Sequence, residues 1–141
     1  MLENPKINIK IKLSALWTSL MFCYIYGDYF ELYAPNKVEK LIEGTSLLDT
    51  PTKLFLASLA VAIPAFMIAL SILLKPRINR ILNIVFGILF TLFVLLVIST
   101  ALYTWYTFYV FYGVLGILIT VLIVWYAWNW PKVISNQTNI K

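Results

Sequence analysis

The chain of 141 residues contains no histidine and a single cysteine, Cys23. Without histidine it cannot build a His-ligated zinc site, a His-ligated haem, or a Ser-His-Asp or Cys-His catalytic site from its own residues. A single cysteine also excludes an intramolecular disulfide. We therefore expect a protein that is not an enzyme and that holds no metal or cofactor.

The chain also has few charged residues. Charged residues make up 12% of the chain and hydrophobic residues 62%, whereas about a quarter of a soluble domain is charged. A chain this short buries only part of its surface, so the excess of apolar residues predicts a lipid bilayer as its surroundings. The formal net charge is +5, but the basic residues are too scattered for a nucleic-acid surface.

Long apolar segments predict an all-α, four-helix transmembrane bundle in one domain. Each segment has about the length that crosses a hydrocarbon core of ~30 Å. Pro64 should kink the second segment, and we place the turn between the last two near residues 103–107. The predicted spans are residues 13–33, 51–74, 81–102 and 108–130.

The connection between the first two spans, residues 35–50, is the one sizeable loop, and residues 37–43 within it predict a short amphipathic helix. Lysine and arginine precede the first span, fill the turn at residues 75–80 and follow the fourth span. The lysines of the long loop are diluted by acidic residues. The positive-inside rule then predicts cytoplasmic N- and C-termini and an external loop. We expect the first span to be retained as a signal anchor.

The first span also carries a polar stripe. Its polar and large side chains recur at spacings of three and four, which places them on one face of a helix. Such a face contacts protein or a cavity, because a carboxylate in hydrocarbon is costly unless it is paired or protonated. The stripe consists of Ser14, Trp17, Met21, Tyr24, Asp28 and Glu31.

This stripe predicts an acidic and aromatic cup in the external leaflet, centred on Asp28. Three functional interpretations are open: a proton-coupled carboxylate of a small transporter, a site for a cationic or amphipathic ligand held partly by tyrosine rings, or an ion path. The leading hypothesis is binding or transport of a small ligand. The candidate site residues are Asp28, Glu31, Tyr24, Trp17, Lys53, Tyr106 and Tyr109.

A structural interpretation competes with the cup. Asp28 would then be hydrogen-bonded to a tyrosine hydroxyl or paired with Lys53, and the stripe would be a helix-packing seam. The chain would be a structural or accessory subunit, in a homo-oligomer or beside a partner membrane protein. The tyrosines and tryptophan at 103–112 complete the cup or form an interfacial belt. Asn83, Gly87, Thr91, Gly113, Gly116 and Thr120 are expected at helix contacts, with a cytoplasmic cavity as the alternative for Asn83.

The motif formed by Leu16-Trp17, Met21, Tyr24-Ile25-Tyr26 and Asp28 resembles the first helix of an uncharacterised family of small bacterial four-span membrane proteins. The resemblance implies the bacterial inner membrane and supplies no activity. The aromatic and acidic part of the family's motif falls on Tyr24, Tyr26 and Asp28, which adds weight to that region. Small multidrug-resistance transporters are a weaker comparison, because their loops are shorter.

Overall fold

The computed structural model describes residues 5–102 and 104–131 and has no β-strand in those ranges. The all-helical expectation is confirmed for this part of the chain. Tyr103, in the predicted turn, and the residues from Lys132 onward, with the basic residues after the last span, lie outside the described residues. The helices are α1 (Ile9–Glu31), α2 (Lys37–Ile42), α3 (Pro51–Leu73), α4 (Pro76–Thr100) and α5 (Thr107–Trp128), with a 3-10 turn at Thr104–Tyr106.

The helix ends follow local chemistry. The Asn8 side chain accepts a hydrogen bond from Lys10 N at 2.9 Å at the start of α1, and the Thr50 hydroxyl accepts one from Lys53 N at 3.3 Å at the start of α3. Helix α4 begins at Pro76, five residues before the predicted start at residue 81. Proline lacks an N–H and has a preset φ, so it suits the first helical position. The predicted basic turn is therefore mostly the first turns of α4.

Helix α1 lies in the middle of the bundle. It packs against α3 on one side and α5 on the other, and α4 packs along α5. Helices α3 and α4 meet over a shorter stretch, next to the connection between them. All four long helices contribute to the core, whose fully or almost fully buried members are Leu13, Trp17, Leu20, Met67, Phe90, Ile123 and Ala127.

Three of these helical segments are long and apolar enough to cross a membrane: Pro51–Leu73, Pro76–Thr100 and Thr104–Trp128. The sequence predicted four spans. Helix α1 has the length, at 23 residues, but its charged and polar residues, Lys10, Lys12 and Asp28 among them, make it less apolar on average than the other three. Length and composition therefore establish three candidate spans in the described ranges, and α1 is not among them.

Two basic side chains donate hydrogen bonds to the C-terminal carbonyls of neighbouring helices at one end of the bundle. Lys10 Nζ donates to Ile72 O at 3.1 Å and to Leu74 O at 2.7 Å. Arg80 donates through Nε to Ala127 O at 3.2 Å and through Nη2 to Trp128 O at 3.2 Å. Carbonyls in a helix's last turn lack intrahelical donors and carry partial negative charge. The contacts therefore tie α1 to α3 and α4 to α5 at what we call the basic end.

Candidate functional site

Asp28 and Tyr109 meet at the opposite end of the bundle from the basic end. Asp28 lies in the last turn of α1, and Tyr109 lies in the first turn of α5. The Tyr109 hydroxyl donates to Asp28 Oδ1 at 3.4 Å, and its ring lies over the buried Gly27, 3.7 Å from where a Cβ would stand. The Asp28 side chain is exposed. This long hydrogen bond leaves most of the carboxylate's accepting capacity free.

Tyr24 lies one helical turn before Asp28 on the same face of α1. Its ring packs against Phe90 with centroids 6.3 Å apart, and it approaches Gly116 of α5. Its hydroxyl is buried and has no hydrogen-bond partner among the described residues. A buried polar group left unsatisfied costs about 1–3 kcal/mol. A water or a ligand atom that reached this hydroxyl would recover part of that energy.

The other charged candidates are already paired. Glu31 is bonded to Lys37 at the start of α2. Lys53 Nζ lies 2.6 Å from Asp49 Oδ1, and its ammonium holds the pKa of the Asp49 carboxyl below its usual value. Lys53 is thus engaged with an acid four residues earlier rather than with Asp28. Within residues 5–102 and 104–131, Asp28 has no cationic partner.

Trp17 does not lie beside Asp28. It is completely buried, and its Nε1 donates to Asn83 Oδ1 at 2.7 Å. Eleven residues separate Trp17 from Asp28, about 16 Å along the helix axis. The periodicity of the stripe placed both residues on one face of the helix, but it did not place them at the same level along the helix axis. Tyr106 packs its ring near Tyr109, with centroids 6.4 Å apart, so it borders the site.

A buried amide cluster lies around Trp17, and we define it as Trp17, Ser71, Asn79 and Asn83. Asn83 Oδ1 accepts from Trp17 and from Ser71 Oγ, the latter at 3.3 Å. Asn83 Nδ2 donates to Asn79 Oδ1 at 2.6 Å, and Asn79 Nδ2 donates to Ser71 O at 2.5 Å. Asn83 was expected at a helix contact, but Asn79 was assigned to a turn. Asn79 and Asn83 are four residues apart, so a helix predicted to begin at Pro76 would have placed both side chains on one face.

The site around Asp28 is an open surface rather than a closed cavity. Two grooves lie elsewhere, one beside α3 and one between α4 and α5, and neither is lined by Asp28 or Glu31. The described residues contain no group of three or more His, Cys, Asp or Glu side chains that could hold a metal ion. The arrangement can accept hydrogen bonds from a cation at Asp28 and offer tyrosine ring faces beside it.

One family model matches residues 4–136, and its description is a family of unknown function, DUF6326. The match covers nearly the whole chain, so the expected relation to an uncharacterised family is confirmed. No curated protein and no solved structure matches the chain.

Proposed function

We propose a function for this chain on the basis of the geometry around Asp28. The chain belongs to DUF6326, a family of unknown function. The protein is an integral membrane protein, not an enzyme, that binds a small cationic or amphipathic ligand at Asp28 and takes part in its transport. One observation carries this proposal: Asp28 is exposed, lacks a cationic partner among the described residues, and is held only by the Tyr109 hydroxyl.

In this proposal α1 is the fourth span. Its 23 residues reach about 34 Å at 1.5 Å per residue, enough for the hydrocarbon core. Ser14 and Trp17 of its polar stripe are buried in the bundle, while Ile11, Phe22 and Ile25 are exposed on its outer face. The exposed Ser19 hydroxyl donates to Ala15 O at 3.0 Å, which supplies a partner that lipid cannot.

The same proposal places both termini in the cytoplasm of a bacterium, the chain in the inner membrane, and α2 outside. The basic end then faces the cytoplasm, as the positive-inside rule favours. Asp28 and Glu31 lie near the external interface. The ligand would be a cation, because the Lys37 ammonium is bonded to Glu31 whereas Asp28 forms no ion pair among the described residues. Tyr24 and Tyr109 would supply ring faces and hydroxyls around it, and no cofactor or metal is needed.

Replacing Asp28 tests this function directly. The purified protein in detergent is dialysed against tetraphenylphosphonium, an amphipathic organic cation. We expect Asp28→Asn to weaken its binding at least about tenfold, since a hydrogen bond to a charged group contributes about 1.5–3 kcal/mol.

Asp49→Asn is the matched control, because it removes the same charge from the exposed Asp49–Lys53 pair. We expect it to leave binding within about twofold of the wild type. Equal binding by the wild type and Asp28→Asn would contradict the proposal, as would equal losses in both variants. Circular dichroism of each variant separates a lost site from a lost fold.

A structural or accessory subunit is the second candidate. It is favoured because Ser14 and Trp17 of the polar stripe are buried in helix packing. A groove beside α3, lined by Met21, Ala57, Ser58, Val61, Ala62 and Ala65, also has the small side chains that allow a further helix to approach closely. That helix would come from a second copy or a partner membrane protein. In this case the wild type would not bind the cation, and Ala62→Leu would disrupt the assembly seen by cross-linking in membranes.

A further inference from the structure

An apolar groove runs along the outer surface between α4 and α5, and its volume is about 380 Å³. Thr91 is its one hydroxyl residue, and that hydroxyl lies 2.7 Å from both Gly87 O and Thr120 Oγ1. The groove therefore offers little to a polar ligand. Its lining residues are Ile88, Thr91, Leu92, Val121, Val124, Trp125 and Trp128.

Two arginines lie on the groove's side of α4, toward the basic end. Residues eleven apart complete about three helical turns and share a face. Arg77 thus lies in line with Ile88, and Arg80 in line with Thr91. The distance along the axis is about 16 Å, close to the ~15 Å half-thickness of a hydrocarbon core. The groove has the depth of one leaflet, with cations at its interfacial mouth.

Arg80 is fixed at that mouth. Its guanidinium donates to the Ala127 and Trp128 carbonyls and lies 6.0 Å from the centre of the Trp128 ring. Arg77 is exposed and extends the positive charge outward. The first-turn N–H groups of α4, which begins at Pro76, add partial positive charge at the same level.

We propose that this groove is a binding site for an anionic phospholipid of the leaflet at the basic end. One acyl chain lies along Ile88 and Val121, and the headgroup phosphate is bound by Arg77 and Arg80. A guanidinium matches phosphate oxygens with paired N–H donors, and basic pockets between membrane helices bind anionic headgroups. A lipid fits better than a protein helix, because the groove ends in cations where a phosphate would lie. The site depends on bilayer insertion but not on Asp28.

Lipid titrations of the purified full-length protein test the proposal. The thermal unfolding midpoint in detergent is measured against added phosphatidylglycerol and phosphatidylcholine with identical acyl chains. We expect phosphatidylglycerol to raise Tm at lower concentration. Arg77→Gln should weaken its apparent affinity about fivefold, as expected for one basic residue near a phosphate. Lys75→Gln is the control, since Lys75 is the extended residue before α4 and not part of the helical face that carries Arg77. It should change affinity less than twofold.

A second pair of variants tests the acyl-chain part without touching a charge. Ile88→Trp fills the groove and should weaken phosphatidylglycerol binding, whereas Leu89→Trp, about 100° around the helix, should not. This pair decides the question if Arg77→Gln fails to fold. Equal midpoints with the two lipids, equal losses in Arg77→Gln and Lys75→Gln, or unchanged binding in Ile88→Trp would overturn the proposal. Asp28→Asn should leave lipid binding unchanged, so this site and the cation site fail independently.

Discussion

Asn83 is hydrogen-bonded through both ends of its side-chain amide. Its oxygen accepts from Trp17 and Ser71, and its nitrogen donates to Asn79. The residue is completely buried, so solvent does not contact its amide in the folded protein. Three helices, α1, α3 and α4, therefore meet through one side chain, which fixes their register in the half of the bundle nearer the basic end.

A double-mutant cycle measures this register contact. Asn83→Ala leaves the Trp17 indole N–H and the Ser71 hydroxyl without Asn83 as their acceptor, and it should lower the free energy of unfolding by about 1–3 kcal/mol. Trp17→Phe removes the same indole donor. If the two groups interact, the double variant loses less than the sum of the single losses. Unfolding in a mixed detergent titration provides the measurement, and strictly additive losses would contradict the contact.

For single residues, the sequence predicted the helix face on which a side chain lies better than it predicted the residue that the side chain contacts. The sequence allowed two partners for Asp28, a tyrosine hydroxyl or Lys53, and the structure places Tyr109 there. Lys53 pairs locally with Asp49, because a contact at i, i+4 in one chain segment needs little ordering. Trp17 shares the face of Asp28 but not its depth. Helical periodicity fixes the angle around an axis, whereas contact also depends on the neighbouring helices.

Helix α1 shows how composition and position differ at the scale of an element. Ser14, Trp17 and Tyr24 lower its average apolarity, yet each faces the bundle, and the exposed face carries Ile11 and Phe22. Mean hydropathy ignores direction, so the inward-facing polar residues of α1 lower it just as exposed ones such as Ser19 and Asp28 do. Helix α3 begins at Pro51, where the Thr50 side chain caps the helix and the proline occupies its first position. Helix α4 begins at Pro76, whereas its predicted start was residue 81, because the charged residues after Pro76 indicated a turn.

Close packing of α4 on α5 depends on Gly87. A Cβ there would lie 2.6 Å from Val124 Cγ2, whereas one at Gly116 would lie 3.4 Å from its nearest neighbour, Leu20 Cδ1. We expect Gly87→Ala to destabilise the fold by about 1–3 kcal/mol through overpacking. Gly116→Ala should be neutral or stabilising by up to about 1 kcal/mol, through helix propensity. Unfolding of both variants in the same detergent compares them, and equal effects would show that α4 and α5 adjust freely.

The whole molecule has two unlike ends. At the basic end, Lys10 and Arg80 close helix C-termini and the buried amide cluster lies nearby. At the other end, the Tyr109 hydroxyl donates to Asp28, and the short helix α2 lies in the connection between α1 and α3. The sequence predicted this polarity through its charge distribution. It could not predict that α1 would lie between α3 and α5, because the stripe identifies a buried face without naming its neighbours.

Single cysteines test the proposed topology. In a Cys23→Ser background, cysteines are placed one at a time at Ile7, Thr45 and Lys75, and intact cells are treated with a membrane-impermeant maleimide. We expect labelling at position 45 only, with positions 7 and 75 labelled after the cells are opened. Labelling at both 7 and 45 in intact cells would show that α1 does not cross the membrane. Labelling at 75 but not at 45 would reverse the orientation.

The central place of α1 has a consequence for biosynthesis. Ribosomes make the chain from its N-terminus, and the stretch from Glu31 to Trp128 takes roughly 5–20 s at usual elongation rates. Helix α1 packs against α5, the last of the described helices to be synthesised. Until α5 arrives, one side of its polar face lacks its final neighbour. The first long helix to be synthesised is thus the last to be enclosed by its neighbours.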